Sequence, residues 1–378
     1  MKKKIFYMLA VAGFTLLMSG CTKVCTVTGT ITDELATTPG AAIVFTDMLT
    51  EQKDTVQIVD GKFEYSCNAD VNGCLTVALV TEAKIRNKNN ITFIPEPGTI
   101  TIDLNEPATV EGGKHNKALF QFRDLMKLKY EVLMAEFEVA RELPQEEAAA
   151  KTKELQDNYR TEVRELCEKT IKASPNGYLG FYALYSLINL GGDVSYSELK
   201  GYVEKMGDFT KNNPLIKRQL AAGEAEENTA EGKMFVDFEG KTPAGEPVKL
   251  SDYVGKGQYV LVDFWASWCG PCKREIENTL LSVYDTYTPK GLVVLGVAVW
   301  ERNGDNSASV ATMEELGMKW DQIFMGDDKT PTDLYGISGI PQIILFAPDG
   351  TIVKRNLRGE ELIAAVEEAL TPAEEVTE

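Results

Sequence analysis

The sequence predicts a multidomain fold, with an all-β sandwich first, a helical middle region next and an α/β domain last. The chain has 378 residues, more than one hydrophobic core usually organises. Its hydrophobic pattern changes twice, from short alternating runs to long helical periods and then to alternating strands and helices. The expected segments are a signal peptide (1–20), the β sandwich (21–112), the helical region with a linker (113–232), the α/β domain (233–370) and an acidic tail (371–378).

The first predicted domain consists of short strands. Between Cys25 and Val110, apolar and polar residues alternate in brief runs, as in Phe63 to Cys67. Turn signals such as Asp60-Gly61 separate these runs. A pattern of this kind is typical of a small sandwich of two sheets.

The middle region predicts helices. Asn116 to Leu143 and Gln145 to Ala173 are rich in Leu, Glu, Lys and Ala, and we expect two long helices that meet near Pro144. Shorter helices are expected at Gly177 to Leu190 and Tyr196 to Met206. The polar, acidic stretch Gly223 to Gly232 is the predicted linker.

After Lys233, predicted strands and helices alternate, which indicates an α/β unit. The strand candidates are Tyr259–Trp265, Leu292–Val299, Gln342–Phe346 and Thr351–Lys354. The helix candidates are Pro271–Tyr287, Ser307–Leu316 and Glu360–Leu370.

Composition excludes nucleic acid as a partner. The formal net charge is −18, whereas phosphate binding needs clustered Lys and Arg. A hydrophobic fraction of 44% and a charged fraction of 25% predict a folded globular protein.

The N-terminus predicts export. Three lysines precede an apolar run from Ile5 to Leu17, which is too short to span a bilayer as a stable helix. Met18-Ser19-Gly20-Cys21 then resembles a bacterial lipobox, which implies lipidation of Cys21. The expected location is therefore the periplasmic side of the bacterial cell envelope, with a lipid anchor in a membrane. The alternative is an ordinary secretory signal in which Cys21 has no role.

If the chain is exported, some of its seven cysteines are expected to form disulfides, because the compartment is oxidising. Cys67 and Cys74 lie on either side of a predicted hairpin turn, so they could form a structural disulfide. Alternatively, both remain unpaired, because sequence cannot show whether their Cα atoms come within bonding distance. Cys25 and Cys167 are expected to be unpaired.

Cys269 and Cys272 carry the predicted chemistry. The strand candidate Tyr259–Trp265 continues through Ala266-Ser267-Trp268 into Cys269-Gly270-Pro271-Cys272, so a strand-to-helix turn is expected at the dithiol. Pro271 is tolerated in a first helical turn, and such a helix directs free N–H groups and its positive dipole end at the Cys269 sulfur. A stabilised thiolate is the nucleophile that attacks disulfides.

The segment Val262 to Cys272 closely resembles the active site of thioredoxin, and Lys273-Arg274-Glu275 with Gly339-Ile340-Pro341 is similar to the TlpA/ResA group of thiol-disulfide oxidoreductases. This resemblance covers about residues 233–370 and implies a thioredoxin fold there. It also implies that Cys269 attacks, Cys272 resolves and Pro341 is a cis-proline that faces the dithiol. Otherwise Pro341 is an ordinary trans proline. The earlier regions resemble the accessory part of many such bacterial lipoproteins.

Three further residues are candidates for the site. Asp263 lies on an apolar strand, where burial would raise its pKa and suit it to accept the proton of Cys272. The strand lysine that accompanies this aspartate in thioredoxin is absent from Leu292 to Trp300. The resemblance to the ResA group implies that Glu275 tunes the dithiol; the alternative is a surface acid on the helix. Trp268 is expected to shield the site and contact partners.

The predicted function is thiol–disulfide exchange with exported proteins. The expected direction is reduction, because the Gly270-Pro271 pair resembles that of thioredoxin. The implied partners are exported cysteine-containing proteins and a membrane thiol protein that donates electrons. No cofactor or metal is expected. The alternatives are a peroxiredoxin-like peroxidase and a binding or assembly lipoprotein with an auxiliary redox domain. Ala266 stands where peroxiredoxins usually have threonine.

Overall fold

The computed structural model describes residues 23–81, 90–191 and 194–371. The predicted signal peptide, Cys21 and residues 372–378 of the predicted tail lie outside these ranges. The chain divides into two compact units. The N-terminal unit extends to Val194 and includes Tyr202–Asn213, whereas the C-terminal unit contains Ser195–Gly201 and everything from Pro214 onward. No helix within the described ranges is long and apolar enough to cross a membrane.

The N-terminal unit begins with a β-rich region of two four-stranded sheets. Its strands are β1 (Val24–Thr30), β2 (Ala42–Asp47), β3 (Lys53–Val56), β4 (Lys62–Asn68), β5 (Leu75–Val80), β6 (Asn90–Phe93), β7 (Gly98–Asp103) and β8 (Thr109–Glu111). One sheet has the order β4-β1-β7-β8 and the other β3-β2-β5-β6. Alternate residues of both sheets, such as Val27, Phe45 and Ile100, are buried in one shared core.

Of the two alternatives for Cys67 and Cys74, the structure contradicts the disulfide and shows the unpaired thiols. Both residues are free thiols in the structure. Cys67 lies on β4 of one sheet, and Cys74 directly precedes β5 of the other. The six residues between them cross from sheet to sheet and do not form a hairpin within one sheet, so the two side chains do not face each other as a cross-strand pair.

Six helices follow the β-rich region: α1 (Lys114–Ala140), α2 (Gln145–Ala173), α3 (Tyr178–Leu190), α4 (Tyr196–Glu204), α5 (Asp208–Asn212) and α6 (Pro214–Asn228). The two long helices meet at Pro144, as predicted, and pack through Leu133, Ala140 and Leu155. The linker prediction is wrong over Gly223–Asn228, because α6 extends through Asn228. A run of polar residues can be one face of a helix as readily as a linker.

The C-terminal unit contains a seven-stranded sheet of order β10-β9-β13-β12-β11-β14-β15. The strands are β9 (Glu239–Lys241), β10 (Pro247–Lys249), β11 (Val260–Trp265), β12 (Val293–Ala298), β13 (Asp321–Phe324), β14 (Gln342–Phe346) and β15 (Ile352–Lys354). The central strand β11 is parallel to β12 and antiparallel to β14. The four strands β11, β12, β14 and β15 correspond to the four predicted strands.

Helices complete this domain: α7 (Gly270–Glu275), α8 (Leu281–Tyr287), α9 (Ser307–Leu316), α10 (Thr330–Leu334) and α11 (Gly359–Leu370). The predicted single helix Pro271–Tyr287 is divided, because a π-helical segment, Ile276–Leu280, separates α7 from α8. Interruptions of this type are frequent near functional sites.

Strand β11 is buried on both faces of the sheet, which explains its continuous apolar sequence. Leu261 and Trp265 belong to the core on one face, which also contains Cys269, Cys272 and Ile276. Val260, Val262 and Phe264 belong to the core on the other face. The side chains of β11 therefore alternate between two cores, and Asp263 shares the face that carries the two cysteines.

Candidate active site

The two cysteines lie where the central strand gives way to a helix. Cys269 caps the N-terminus of α7, and its Sγ accepts a hydrogen bond from the backbone N–H of Cys272 at 3.2 Å. Pro271 occupies the first turn, where a missing N–H costs nothing. The cysteines form a disulfide with Cα atoms 5.3 Å apart. The predicted strand-to-helix turn at the dithiol is thus confirmed.

The loop before β14 lies next to the disulfide. The Ile340–Pro341 peptide bond is cis, as the family resemblance implied. The carbonyl oxygen of Ile340 lies 3.7 Å from Cys269 Sγ. Pro341 is partly exposed and directly precedes β14, which pairs with β11 so that Gln342 faces Phe264. The proline loop and the dithiol are therefore brought together by neighbouring strands.

Trp268 forms the exposed rim of the site. Its side chain is 48% exposed, and its indole Nε1–H donates to the carbonyl oxygen of Trp300 at 2.9 Å. Trp265 is fully buried and donates to Oε1 of Gln322 at 3.0 Å. Cys269 itself is only 3% exposed, so Trp268 offers an accessible aromatic surface beside a largely buried sulfur.

Glu301 holds the loop that leads into the dithiol, and sequence reasoning missed it. The backbone N–H and the hydroxyl of Ser267 donate to its two carboxylate oxygens at 2.6 and 2.8 Å. Glu301 is buried and follows β12, the parallel neighbour of β11. Carboxyl ends of adjacent parallel strands meet at one edge of a sheet, so an acid just beyond β12 was the available signal.

Asp263 is buried on the sheet face that carries the two cysteines. Only 1% of the residue is exposed, and neither carboxylate oxygen accepts a hydrogen bond from any residue in the described part of the chain. Burial raises the pKa of this carboxyl to about 7, and the charge of Glu275 adds to the rise while Arg358 opposes it. A carboxyl with such a pKa can change protonation near neutral pH, as a general base requires.

Glu275 and Arg358 form the charged surroundings of Asp263. Glu275 ends α7 and its Oε1 accepts the N–H of Gly359, the first residue of α11, at 2.8 Å. Arg358 directly precedes that helix; burial lowers the pKa of its guanidinium, while Asp263 and Glu275 counteract this. Arg358 thus supplies a cation near Asp263, where thioredoxin has a lysine on the neighbouring strand. No local motif connects Arg358 to Asp263, so sequence reasoning missed it.

Among the sequence-predicted residues, Cys269 and Cys272 are bonded, Trp268 adjoins them and Pro341 follows the carbonyl that faces them. Asp263 and Glu275 interact electrostatically with each other. Cys21 lies outside the described residues, and Cys67 and Cys74 belong to the N-terminal unit. All residues of the dithiol site belong to the C-terminal unit.

Thiol–disulfide exchange is the chemistry that this arrangement supports, and the domain that carries it is a thioredoxin-like oxidoreductase domain. Residues 232–355 match the AhpC/TSA family model. Over 129 residues the chain is 30% identical to thiol-disulfide oxidoreductase ResA of Bacillus subtilis (strain 168), a match that covers 34% of this chain and 68% of that protein. The chain belongs to the ResA family of thiol-disulfide oxidoreductases.

Other comparisons cover the same domain and the β-rich region. The chain is 25% identical over 185 residues to ResA of Bacillus cereus (strain ATCC 10987 / NRS 248), covering 49% of this chain and 90% of that protein. A solved thioredoxin domain of a thiol-disulfide oxidoreductase from Bacteroides vulgatus has 34% sequence identity to this chain. The match covers 38% of this chain and 99% of the solved domain, with a TM-score of 0.34. Residues 25–119 match a domain of unknown function, DUF4369.

The raised pKa of Asp263 makes the stability of the C-terminal domain depend on pH. An unfolded aspartate loses its proton near pH 4, whereas the folded protein holds this proton until about pH 7. Folding therefore becomes less favourable as pH rises through this window. Asp263→Asn lacks this contribution to the pH dependence. The free energy of unfolding of the variant minus that of the wild type should therefore increase by about 4 kcal/mol from pH 4 to pH 8.

Denaturant unfolding followed by tryptophan fluorescence measures this difference, because all four tryptophans lie in the C-terminal domain. Asp285→Asn, at an exposed residue of α8, is the matched control and should follow the wild-type pH dependence. Parallel curves for wild type and Asp263→Asn across the whole range would show that Asp263 is already ionised at low pH.

Proposed function

We propose that this enzyme works outside the cytoplasm, where it exchanges its Cys269–Cys272 dithiol with disulfides of exported proteins, in the reducing direction. The observation that carries the exchange is the disulfide at the N-terminus of α7, beside the cis Ile340–Pro341 bond. The predicted leader and lipobox support an extracytoplasmic, lipid-anchored location through Cys21. Substrates are cysteine-containing proteins that contact Trp268 and the Pro341 loop.

In the proposed cycle, the Cys269 thiolate attacks one sulfur of a substrate disulfide and releases the other as a thiolate. The Cys272 thiol then loses its proton and attacks Cys269 Sγ, which expels the second substrate sulfur. The substrate gains two electrons and ends as two thiols, while the enzyme ends as the disulfide seen here. A membrane thiol protein must then return two electrons to the enzyme.

Asp263 is proposed to accept the proton of Cys272. It shares the sheet face that carries the cysteines, and its carboxylate has no hydrogen bond from a described residue to hold it in the ionised form. Arg358 favours the ionised carboxylate, and Glu275 favours the protonated one. We therefore assign Asp263 to proton transfer, and Arg358 and Glu275 to setting the pH at which it works.

The domain boundaries are proposed as follows. Residues 21–112 would form a β sandwich, supported by two sheets that share one core, and residues 113–232 a helical region. The thioredoxin-like domain would span 233–370, followed by the acidic tail 371–378.

A peroxidase function is not supported by any feature of the site. Ala266 provides no hydroxyl at the position where peroxiredoxins usually have threonine. The nearest hydroxyl along the chain, that of Ser267, donates to Glu301 at 2.8 Å and is thereby committed to holding the loop.

Substitution of the two cysteines separates attack from resolution. Cys269→Ser should abolish catalysed reduction of insulin disulfides, because the hydroxyl does not attack them. Cys272→Ala should instead accumulate mixed disulfides through Cys269, and mass spectrometry of the captured proteins identifies the substrates and the direction. Cys167→Ser, at a buried thiol on α2, is the control and should retain activity. Undiminished insulin reduction by Cys269→Ser would contradict the proposed function.

The role of Arg358 is tested by the pH profile of the same reaction. In Arg358→Gln the pKa of Asp263 should rise further, so the pH at half-maximal rate should move up by about one unit. Arg358→Lys should restore most of the wild-type profile, because it keeps the charge. Lys354→Gln, at an exposed cation on β15, is the control. A uniform loss of rate at every pH in Arg358→Gln, without a shift of the profile, would point to a structural role only.

A further inference from the structure

Two thiols of the N-terminal unit face each other across paired strands. Cys25 on β1 is directly opposite Cys67 on β4 in the antiparallel register. The pair points inward, because Cys25 belongs to the shared core and Cys67 packs against it, as do Val27 and Tyr65, which are opposite each other two residues along. Cys25 and Cys67 therefore extend from the same face of the sheet.

The spacing of such a pair suits a disulfide. Directly opposite residues of antiparallel strands have Cα atoms about 4.5 or 5.5 Å apart, depending on their place in the hydrogen-bond ladder. Disulfides have Cα separations of about 4.4 to 6.8 Å, so either place is within range. In the structure, the two thiols lie close enough for each to shift the pKa of the other.

The two thiols differ in access and acidity, as attacking and resolving thiols do. Cys25 is fully buried, whereas Cys67 is partly exposed. Accepting the hydrogen bond from Cys25 lowers the pKa of Cys67, although burial and the charge of Asp54 oppose this. The pKa of Cys25 is raised by the same hydrogen bond, by burial and by the charges of Cys67 and Glu96. The accessible sulfur is thus the better nucleophile.

We infer that Cys25 and Cys67 are a second dithiol of this protein, which closes to a cross-strand disulfide by exchange with a low-molecular-weight disulfide. Cys67 attacks one sulfur of that disulfide and expels the other as a thiolate. The Cys25 thiol gives up its proton and attacks Cys67 Sγ, releasing the second sulfur. Two thiols of the protein are oxidised, and the small disulfide is reduced to two thiols.

A Cys25–Cys67 disulfide would link β1, the first strand of the described chain, to β4. Strand β1 lies between β4 and β7, and Cys25 is its second residue. A bond to Cys67 would link that end of β1 covalently to β4 and restrict its departure from the sheet. This inference is independent of the proposed function, since it involves neither Cys269 nor Cys272.

The test uses the full chain with Cys21→Ala, Cys269→Ala and Cys272→Ala, so that Cys25, Cys67, Cys74 and Cys167 are the cysteines that remain. The reduced protein is incubated with oxidised glutathione, unfolded, alkylated and digested with trypsin. The peptide from Val24 to Lys53 should be joined by a disulfide to the peptide that begins at Phe63. Of the four cysteines Cys25, Cys67, Cys74 and Cys167, only the last two should carry the alkyl label.

Two single variants in the same background identify the partner. Cys74→Ser should leave the joined peptides unchanged, and Cys67→Ser should eliminate them. Labelling of all four thiols, a disulfide confined to the Phe63 peptide, or glutathione that remains attached to Cys67 without closure would each overturn the inference.

Discussion

The burial of strand β11 on both faces is the constraint on which the rest of the C-terminal domain depends. The strand must be apolar over its whole length, and it leaves the sheet at Trp265 with no freedom to shift its register. A one-residue shift would exchange the two cores and move Asp263 away from the cysteines. The position of Cys269 at the start of α7 follows from where this strand ends.

Elements distant in sequence then complete the site around that fixed point. Glu301, beyond β12, binds both polar groups of Ser267, and the carbonyl of Ile340 approaches the Cys269 sulfur. Arg358, next to α11, is the cation near Asp263. A buried carboxylate without hydrogen bonds is unfavourable in its ionised form. For Asp263, burial and the charge of Glu275 favour the protonated form, and Arg358 favours the ionised form. The site can therefore hold a proton near neutral pH.

Sequence patterns predicted the features that depend on residues close together in the chain. The apolar run before Cys269, the proline after it and the period of the long helices were sufficient to place the dithiol and the helical region. Partners that depend on tertiary contact were not predictable: Cys67 faces Cys25 across paired strands, and the expected Cys74 belongs to another sheet. Arg358 and Glu301 were missed for the same reason, because each lies more than thirty residues from the groups it serves.

The central claim is that Cys269 and Cys272 interconvert reversibly between dithiol and disulfide in the folded enzyme. An equilibrium titration in buffers of oxidised and reduced dithiothreitol, followed by tryptophan fluorescence, measures this most directly, because the tryptophans lie in this domain and Trp268 adjoins the pair. We expect the tryptophan fluorescence to report one transition of two electrons, identical from the oxidised and the reduced side. Fluorescence and thiol content that do not respond to the buffer ratio, or a disulfide that fails to re-form, would contradict the claim.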